Sequence, residues 1–241
     1  MSCLKMVNNM QKVIDVSEHN GAIDWRKVKK AGYHAIIRCG YGRNLVKQDD
    51  KRFAYNVKEC ERLGIPYGVY LYSYAKDKDS ALSEAAHALR LVQDNCGDFL
   101  LYPIYFDSEQ PGTQKAARSN AIAFGDIIEK AGYWCGLYAS ESWYRNYLQG
   151  TARFTSWVAK WGSVKPSKCD MWQMSDKGIV PGIKGAVDTN ICYRNFPCII
   201  SKDYSTALDV LAGEYGNGSE RKSKLGKRYS KIQSIVNRIL A

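Results

Sequence analysis

The sequence lacks any apolar run approaching 18 residues, which excludes a membrane-spanning helix. Its first nine residues contain no long apolar core followed by small residues, so no secretory signal peptide is expected. Met10 is an alternative start, and residues 1–10 are treated as an N-terminal extension. We therefore expect the protein to be made in the cytoplasm.

Metal-binding patterns are also missing. The chain has three histidines, and none of its eight cysteines forms a C-x-x-C pair, so no structural zinc site or metal cofactor is expected. Without a signal peptide, the cysteines are expected to be reduced thiols packed as small apolar groups. Cys192 and Cys198 lie close enough in sequence to form an exception.

Negative charge is scarce, because 24 acidic residues face 35 lysines and arginines and leave a net charge of +11. A cationic surface favours a polyanion such as nucleic acid, anionic lipid or an anionic cell-wall polymer. The basic residues are spread along the chain, and no RNA-binding, zinc-finger or helix-turn-helix signature is present. We expect neither nucleic acid nor membrane as a partner, and an anionic wall polymer remains compatible.

The hydrophobic pattern alternates between strand-like and helix-like segments over residues 11–197. Tyr67–Tyr74 alternates with period two, whereas Asp79–Val92 places apolar residues at helical spacing. About eight strands predict an α/β parallel barrel, with reduced late helices because a full barrel takes about 250 residues. After a linker at 198–203, helical spacing predicts a small three-helix module over 204–241.

Four acidic residues fall on or after strands of this barrel: Asp15, Asp107, Glu109 and Asp188. Reacting groups lie at the carboxyl ends of strands in parallel barrels, and residues 107 and 109 share a face in extended backbone. Neighbouring carboxylates raise the pKa of at least one of them, and glycosidic cleavage needs such an acid beside a second carboxylate. The alternative is that these acids cap helices or pair with surface lysines.

Aromatic residues cluster on the same strands and strand ends. Sugar faces stack on such rings, and core packing is the alternative. Tyr70, Tyr72 and Tyr74 share one strand face, so we expect all three in a pocket or all three in the core. The candidate substrate-binding aromatics are Tyr70, Tyr72, Tyr138, Trp157 and Trp172.

Several of these residues belong to motifs with a characteristic order. The motifs are Asp15-Val16-Ser17, Asn20-Gly21, Ile23-Asp24-Trp25, Asp107-x-Glu109, Trp157-Val158-Ala159, Trp172-Gln173 and Val187-Asp188-x-Asn190. Together, over residues 12–195, they resemble glycoside hydrolase family 25, the muramidase lysozymes. The resemblance implies an irregular, metal-free parallel (β/α) barrel that needs no cofactor. It also implies cleavage of the β-1,4 bond between N-acetylmuramic acid and N-acetylglucosamine.

The resemblance also implies roles for individual residues. Glu109 is the expected acid and Asp107 its companion, while Asp15 and Asp188 shape charge and orientation. Gln173 joins the substrate-binding candidates. An aspartate, with Asp107 the best candidate, either activates water as a base or orients the 2-acetamido group of the substrate.

The tail carries a second resemblance, in Val210-Leu211-Ala212-Gly213-x-Tyr215-Gly216-Asn217-Gly218 followed by Arg221, Leu225, Tyr229, Gln233 and Val236-Asn237. It is similar to the short cell-wall-binding repeat of certain phage lysozymes. That resemblance implies peptidoglycan binding, and Arg221 is the candidate contact as a forked donor. The alternative is that the tail is a helical cap on the barrel. A homo-oligomer also remains open, because several subunits would compensate for the weak binding of a single repeat copy.

The two resemblances together predict a phage or bacterial endolysin that acts on the bacterial cell wall after release. Two alternatives remain. One, from a different functional class, is a catalytically inactive wall-binding lectin on the same barrel. The other is a hydrolase of another N-acetylated glycan such as chitin.

Overall fold

The alternating strands and helices form a closed barrel in the computed structural model, which describes residues 10–241. The strands are β1 Gln11–Val16, β2 Tyr33–Tyr41, β3 Tyr67–Tyr72, β4 Leu100–Asp107, β5 Cys135–Ser140, β6 Thr155–Ala159, β7 Met171–Gly178 and β8 Val187–Cys192. The helices are α1 Trp25–Lys30, α2 Phe53–Leu63, α3 Lys78–Asn95, α4 Ala117–Lys130, α5 Glu141–Tyr147, α6 Phe196–Ile200, α7 Lys202–Leu211, α8 Gly218–Leu225 and α9 Tyr229–Leu240. No helix in this part of the chain is long and apolar enough to cross a membrane.

The strands follow one another in chain order around the barrel. β1 to β7 run parallel, as expected, whereas β8 is antiparallel to both β7 and β1. The segment 179–186 between β7 and β8 is too short for a parallel crossover, which takes a dozen or more residues, so the chain must turn back. This reversal places the start of β8 at the same end of the barrel as the end of β1.

The late helices are reduced, which confirms the expectation from chain length. Each of β1 to β5 is followed by a helix, and α5 spans only Glu141–Tyr147. Within the described residues, β6 connects to β7 and β7 to β8 without a helix.

The barrel interior is filled by large aromatic side chains. Trp157 lies 4.4 Å from Tyr138 and 5.2 Å from Tyr105 between ring centroids. Close packing also explains Gly136, because a Cβ there would lie 2.3 Å from the Tyr105 ring. A second apolar layer, which includes Val69, packs between the strands and the surrounding helices. The interior is therefore a packed core, and the open space lies above it, at the carboxyl ends of the parallel strands.

The tail helices pack directly against the opposite end of the barrel. Tyr204 of α7 contacts Phe99 at 6.0 Å between ring centroids, and Phe99 immediately precedes β4. Arg238 of α9 pairs with Glu61 and Asp98. A Cβ on Gly64, which has φ +66°, would meet the Arg238 carbonyl oxygen at 2.7 Å. The tail thus shares one apolar core with the barrel and faces away from the mouth.

The predicted linker 198–203 is not an extended connection. Residues 198–200 complete α6, and α7 starts at Lys202 after Ser201, whose hydroxyl oxygen accepts the Tyr204 backbone N–H. The pairing considered for Cys192 and Cys198 is wrong, because Cys192 is a free thiol.

Candidate active site

Four carboxyl side chains meet at the mouth of the barrel. Asp15 is near the end of β1, Asp107 ends β4 and Glu109 follows it. Asp188 is near the start of β8 and pairs with Asp15 in the antiparallel register. Asp188 reaches this mouth because β8 runs in reverse, so its place early in a strand is consistent with a site at the carboxyl ends of the other strands.

Asp15 is held by two side-chain amides. Its Oδ2 atom accepts from Asn190 Nδ2 at 2.8 Å and from Gln173 Nε2 at 3.1 Å. Burial raises the pKa of Asp15 well above its ordinary value, and the charge of Asp188 raises it further. Burial also raises the pKa of Asp188. The two facing carboxyls therefore favour a state in which they share a proton.

Asp107 is a buried carboxyl with an unused acceptor. It is 3% exposed, and its Oδ1 has no hydrogen-bond partner among residues 10–241. Burial raises its pKa well above the usual range, Glu109 adds to that rise, and the Arg38 guanidinium partly opposes it. A buried acceptor without a donor is costly, and a substrate N–H or O–H that reaches it would remove that cost.

Glu109 occupies a more open position. The residue is exposed to solvent, yet the surrounding protein displaces part of the water around its carboxyl. This partial burial raises the pKa of Glu109, and the charge of Asp188 contributes. A carboxyl that is both accessible and harder to ionise suits proton donation to a bound substrate.

The amide and aromatic candidates form a hydrogen-bonded frame behind the carboxyls. Tyr138 donates its hydroxyl proton to Gln173 Oε1 at 2.9 Å, and Trp157 Nε1 donates to Asn190 Oδ1 at 2.7 Å. Gln173 and Asn190 in turn both donate to Asp15. The frame thereby fixes the orientation of Asp15.

The substrate-binding candidates occupy different depths. Trp157 is 1% exposed inside the barrel, so its ring cannot stack on a sugar. The prediction that Trp157 binds substrate is therefore wrong, and its ring instead supports the residues of the mouth from below. Trp172 is also buried and donates Nε1 to the Lys160 carbonyl. Tyr70 and Tyr72 are half-buried at the mouth, while Tyr74 is exposed. The three tyrosines therefore do not share one environment.

Sequence reasoning left three polar residues of the site without a role. Asn190 was part of a motif but was not singled out, although its spacing of two from Asp188 put both on one strand face. Arg38 binds Asp50 through Nε at 2.8 Å and Glu18 through Nη2 at 3.2 Å. Gln110 accepts the Tyr72 hydroxyl at 3.0 Å. No group of three or more His, Cys, Asp or Glu in the described part of the chain is placed to hold a metal ion.

Arg221 lies in the tail, far from this mouth in the fold. Its guanidinium donates to the Gly216 carbonyl at 3.0 Å, to Asn217 Oδ1 at 3.0 Å and to Gln233 Oε1 at 3.1 Å. The forked donor is thus already engaged in organising a loop of its own module.

Comparison with known proteins places this chain in a family. The model of the glycosyl hydrolases family 25 matches residues 14–183, more than half of the chain. The chain belongs to this family. It is therefore a glycoside hydrolase, with Asp15, Asp107 and Glu109 inside the matched range and Asp188 beyond it. A model of the CW_7 repeat matches residues 205–240, so the tail is that repeat.

Individual proteins are similar to this chain in sequence or in structure. The uncharacterized protein YegX of Escherichia coli K12 is 31% identical over 192 residues, covering 74% of this chain and 68% of YegX. Lysozyme M1 of Streptomyces globisporus is 28% identical over 207 residues, covering 73% and 66%. The modular autolysin LytC from Streptococcus pneumoniae has a similar structure, with a TM-score of 0.65 and 31% identity. The match covers 76% of this chain and 46% of LytC, so it spans about half of that autolysin.

Proposed function

We propose that this glycoside hydrolase degrades peptidoglycan in the manner of an endolysin, cleaving the β-1,4 bond between N-acetylmuramic acid and N-acetylglucosamine. The observation that carries the proposal is the meeting of Asp15, Asp107, Glu109 and Asp188 at one barrel mouth. The relatives named a lysozyme and an autolysin support the substrate class.

In this proposal Glu109 protonates the departing glycosidic oxygen. Its raised pKa keeps a fraction of the carboxyl protonated nearer neutral pH, and its exposure lets it reach the bond. Such acid assistance is worth about 10²–10⁴-fold in rate.

Asp107 orients the 2-acetamido group of the substrate for attack on the anomeric carbon. Its buried Oδ1, which accepts from no donor among residues 10–241, supports this choice, because an acetamido N–H would satisfy that acceptor. Asp15 and Asp188 complete the mouth by stabilising the positive character that develops on the sugar ring. The cleft is lined by the half-buried rings of Tyr70 and Tyr72. It is supported from behind by the buried side chains of Tyr138, Trp172 and Gln173.

The tail, over 204–241, is proposed as a peptidoglycan-binding module attached to a catalytic barrel over 11–197. The CW_7 match supports it, and the net positive charge of the whole chain adds attraction to anionic wall polymers. Arg221 contributes through the loop that it holds together. The enzyme would act on the wall after release from the cell that makes it.

Digestion of purified bacterial wall tests the bond assignment. Products are reduced with borohydride and identified by mass spectrometry, and we expect new reducing ends on muramic acid. Reducing ends on glucosamine would contradict the assignment. Binding without products would indicate the inactive lectin, and products from chitin alone would indicate another N-acetylated glycan.

A further inference from the structure

Glu84 is a buried carboxyl that has no role in the proposed acid–base chemistry. It lies on α3 and is 1% exposed. Burial raises the pKa of Glu84 to about 7, although hydrogen bonds from Ser73 and Tyr74 and the charge of Arg43 oppose that rise. Burying an ionisable group costs stability, and such groups are concentrated at functional sites. The contacts of Glu84 show what its position serves.

Glu84 binds the segment that follows β3. Its Oε2 accepts the Ser73 hydroxyl proton at 2.6 Å, and its Oε1 accepts the Tyr74 backbone N–H at 2.8 Å. The Ser73 hydroxyl oxygen in turn accepts the Ala75 backbone N–H at 3.1 Å, so the hydroxyl proton points towards Glu84. Both carboxyl oxygens therefore have a donor, and residues 73–75 are held in one conformation.

A second helix holds the same segment. Asn120 on α4 is 1% exposed and donates Nδ2 to the Ala75 carbonyl oxygen at 2.8 Å. Polar groups from two outer helices thus converge on a short piece of chain at the carboxyl end of β3. This piece is fixed before any substrate arrives.

The segment 73–75 is bonded directly to the strand end that carries the acids. The Ser73 backbone N–H donates to the Asp107 backbone carbonyl oxygen at 3.0 Å. On the other side, the Ser108 backbone N–H donates to the Tyr138 carbonyl oxygen at 2.9 Å. The end of β4 is therefore held from β5 on one side and from Ser73 on the other, and Glu84 holds Ser73.

We propose that Glu84 is a positioning residue for the reaction, which keeps Asp107 in place through its two bonds to Ser73 and Tyr74. The inference rests on the proposed function, because Asp107 has its role in the reaction only there. Glu84 acts through the backbone and does not touch the substrate. Reaction geometry is sensitive to such support, since a misplacement of about 1 Å can lower turnover about 100-fold.

Kinetics on a soluble muropeptide oligomer test this role. Glu84→Ala removes both acceptors, so kcat per folded molecule should fall roughly 10- to 100-fold while KM changes far less. Glu84→Gln should recover most of kcat, because its amide can still accept the Tyr74 N–H and donate to the Ser73 hydroxyl oxygen. Ser73→Ala removes only one of the two bonds and should lower kcat by a smaller factor, which keeps the test open if Glu84→Ala does not fold.

Hydrogen exchange reports the same contact without substrate. In Glu84→Ala, NMR should show the protection of the Ser73 amide reduced by about 5- to 30-fold beyond any change in global stability, the factor expected for local loss of one or two hydrogen bonds. Glu84→Gln should keep most of that protection.

Glu61→Ala is the matched control. Glu61 holds the segment before β4 at the opposite end of the barrel, where it accepts the Gly97 and Phe99 backbone N–H groups, each at 3.0 Å. Its removal should lower the melting temperature but leave kcat per folded molecule unchanged.

Unchanged kcat in folded Glu84→Ala and Ser73→Ala, or an equal fall in Glu61→Ala, would overturn the positioning role. A fall that Glu84→Gln does not recover would also overturn it, because the charge and not the two bonds would then matter. If the unmodified enzyme does not cleave the muropeptide, the proposed function fails separately. Ser73 exchange still decides the inference in that case, and unchanged protection in Glu84→Ala would overturn it.

Discussion

Replacing Asn190 with alanine tests whether the amide behind Asp15 serves the reaction or only the packing. Asn190 is 1% exposed, accepts from Trp157 Nε1 at 2.7 Å and donates to Asp15 Oδ2 at 2.8 Å. The substitution removes a partner from a buried indole N–H and from a buried carboxyl. Each such loss costs about 1–3 kcal/mol, so the free energy of unfolding should fall by about 2–6 kcal/mol.

Asn56→Ala is a closely matched control. Asn56 is fully buried and accepts from Trp25 Nε1 at 3.2 Å, outside the barrel mouth. Its Nδ2 has no hydrogen-bond partner in the described part of the chain. Only the indole bond is lost, so the free energy of unfolding should fall by about 1–3 kcal/mol and turnover per folded molecule should not change.

The two variants should separate in activity. Without Asn190, Asp15 loses a donor that favours its charged form, so its pKa rises further and its position against Asp188 loosens. Misplacement of this kind lowers turnover by roughly 10- to 100-fold. Urea denaturation gives the unfolding free energies, and wall clearing well below both melting transitions gives turnover per folded molecule. Equal turnover in the two variants would refute a role for the Asn190–Asp15 contact.

Hydrophobic periodicity was sufficient to predict the alternating strands and helices of the barrel, because strands and helices have different periods. The reduction of the late helices was predicted from the length of the chain. It did not reveal the direction of β8, because alternation of side chains is the same in either direction. The short 179–186 connection was the available signal. Once that reversal is known, the position of Asp188 at the mouth follows from its register with Asp15.

The sequence predicted the residues of the site that belong to motifs. It predicted less well the roles that depend on how deeply a side chain is buried in the barrel. The alternation of residues along a strand predicts which face of the sheet Trp157 occupies. It does not predict how deeply the ring is buried, and the ring lies below the mouth at 1% exposure. Arg38 was missed because its partners, Glu18 and Asp50, come from other segments. The docking of the tail was equally hidden, because the apolar stripe of α9 fits an independent bundle as well as a shared core.

Further predictions concern the acids and the tail. Glu109→Gln should fold normally and clear bacterial wall about 10²–10⁴-fold more slowly, and a folded variant with near-normal clearing would contradict the role of Glu109 as the acid. The unmodified enzyme should lose activity as pH rises through the raised pKa of Glu109. Because burial raises the folded-state pKa of Asp107, its stabilising contribution is complete below the unfolded pKa and is lost as pH rises through the folded value. Asp107→Asn, which remains neutral, should therefore raise the melting temperature at pH 7 but not at pH 3, and a gain at both values would contradict that cause. Deleting residues 204–241 exposes apolar surface around Phe99, so the melting temperature should fall whether or not the tail binds wall. If the tail does bind wall, clearing of intact cells should fall far more than cleavage of a short soluble muropeptide measured below the new melting transition, because tethering raises the effective concentration only of a surface substrate. That difference should persist at 1 M salt, where a Debye length of about 3 Å removes general cationic attraction. Equal losses on both substrates would mean that the tail acts as a cap on the barrel and not as a binding module.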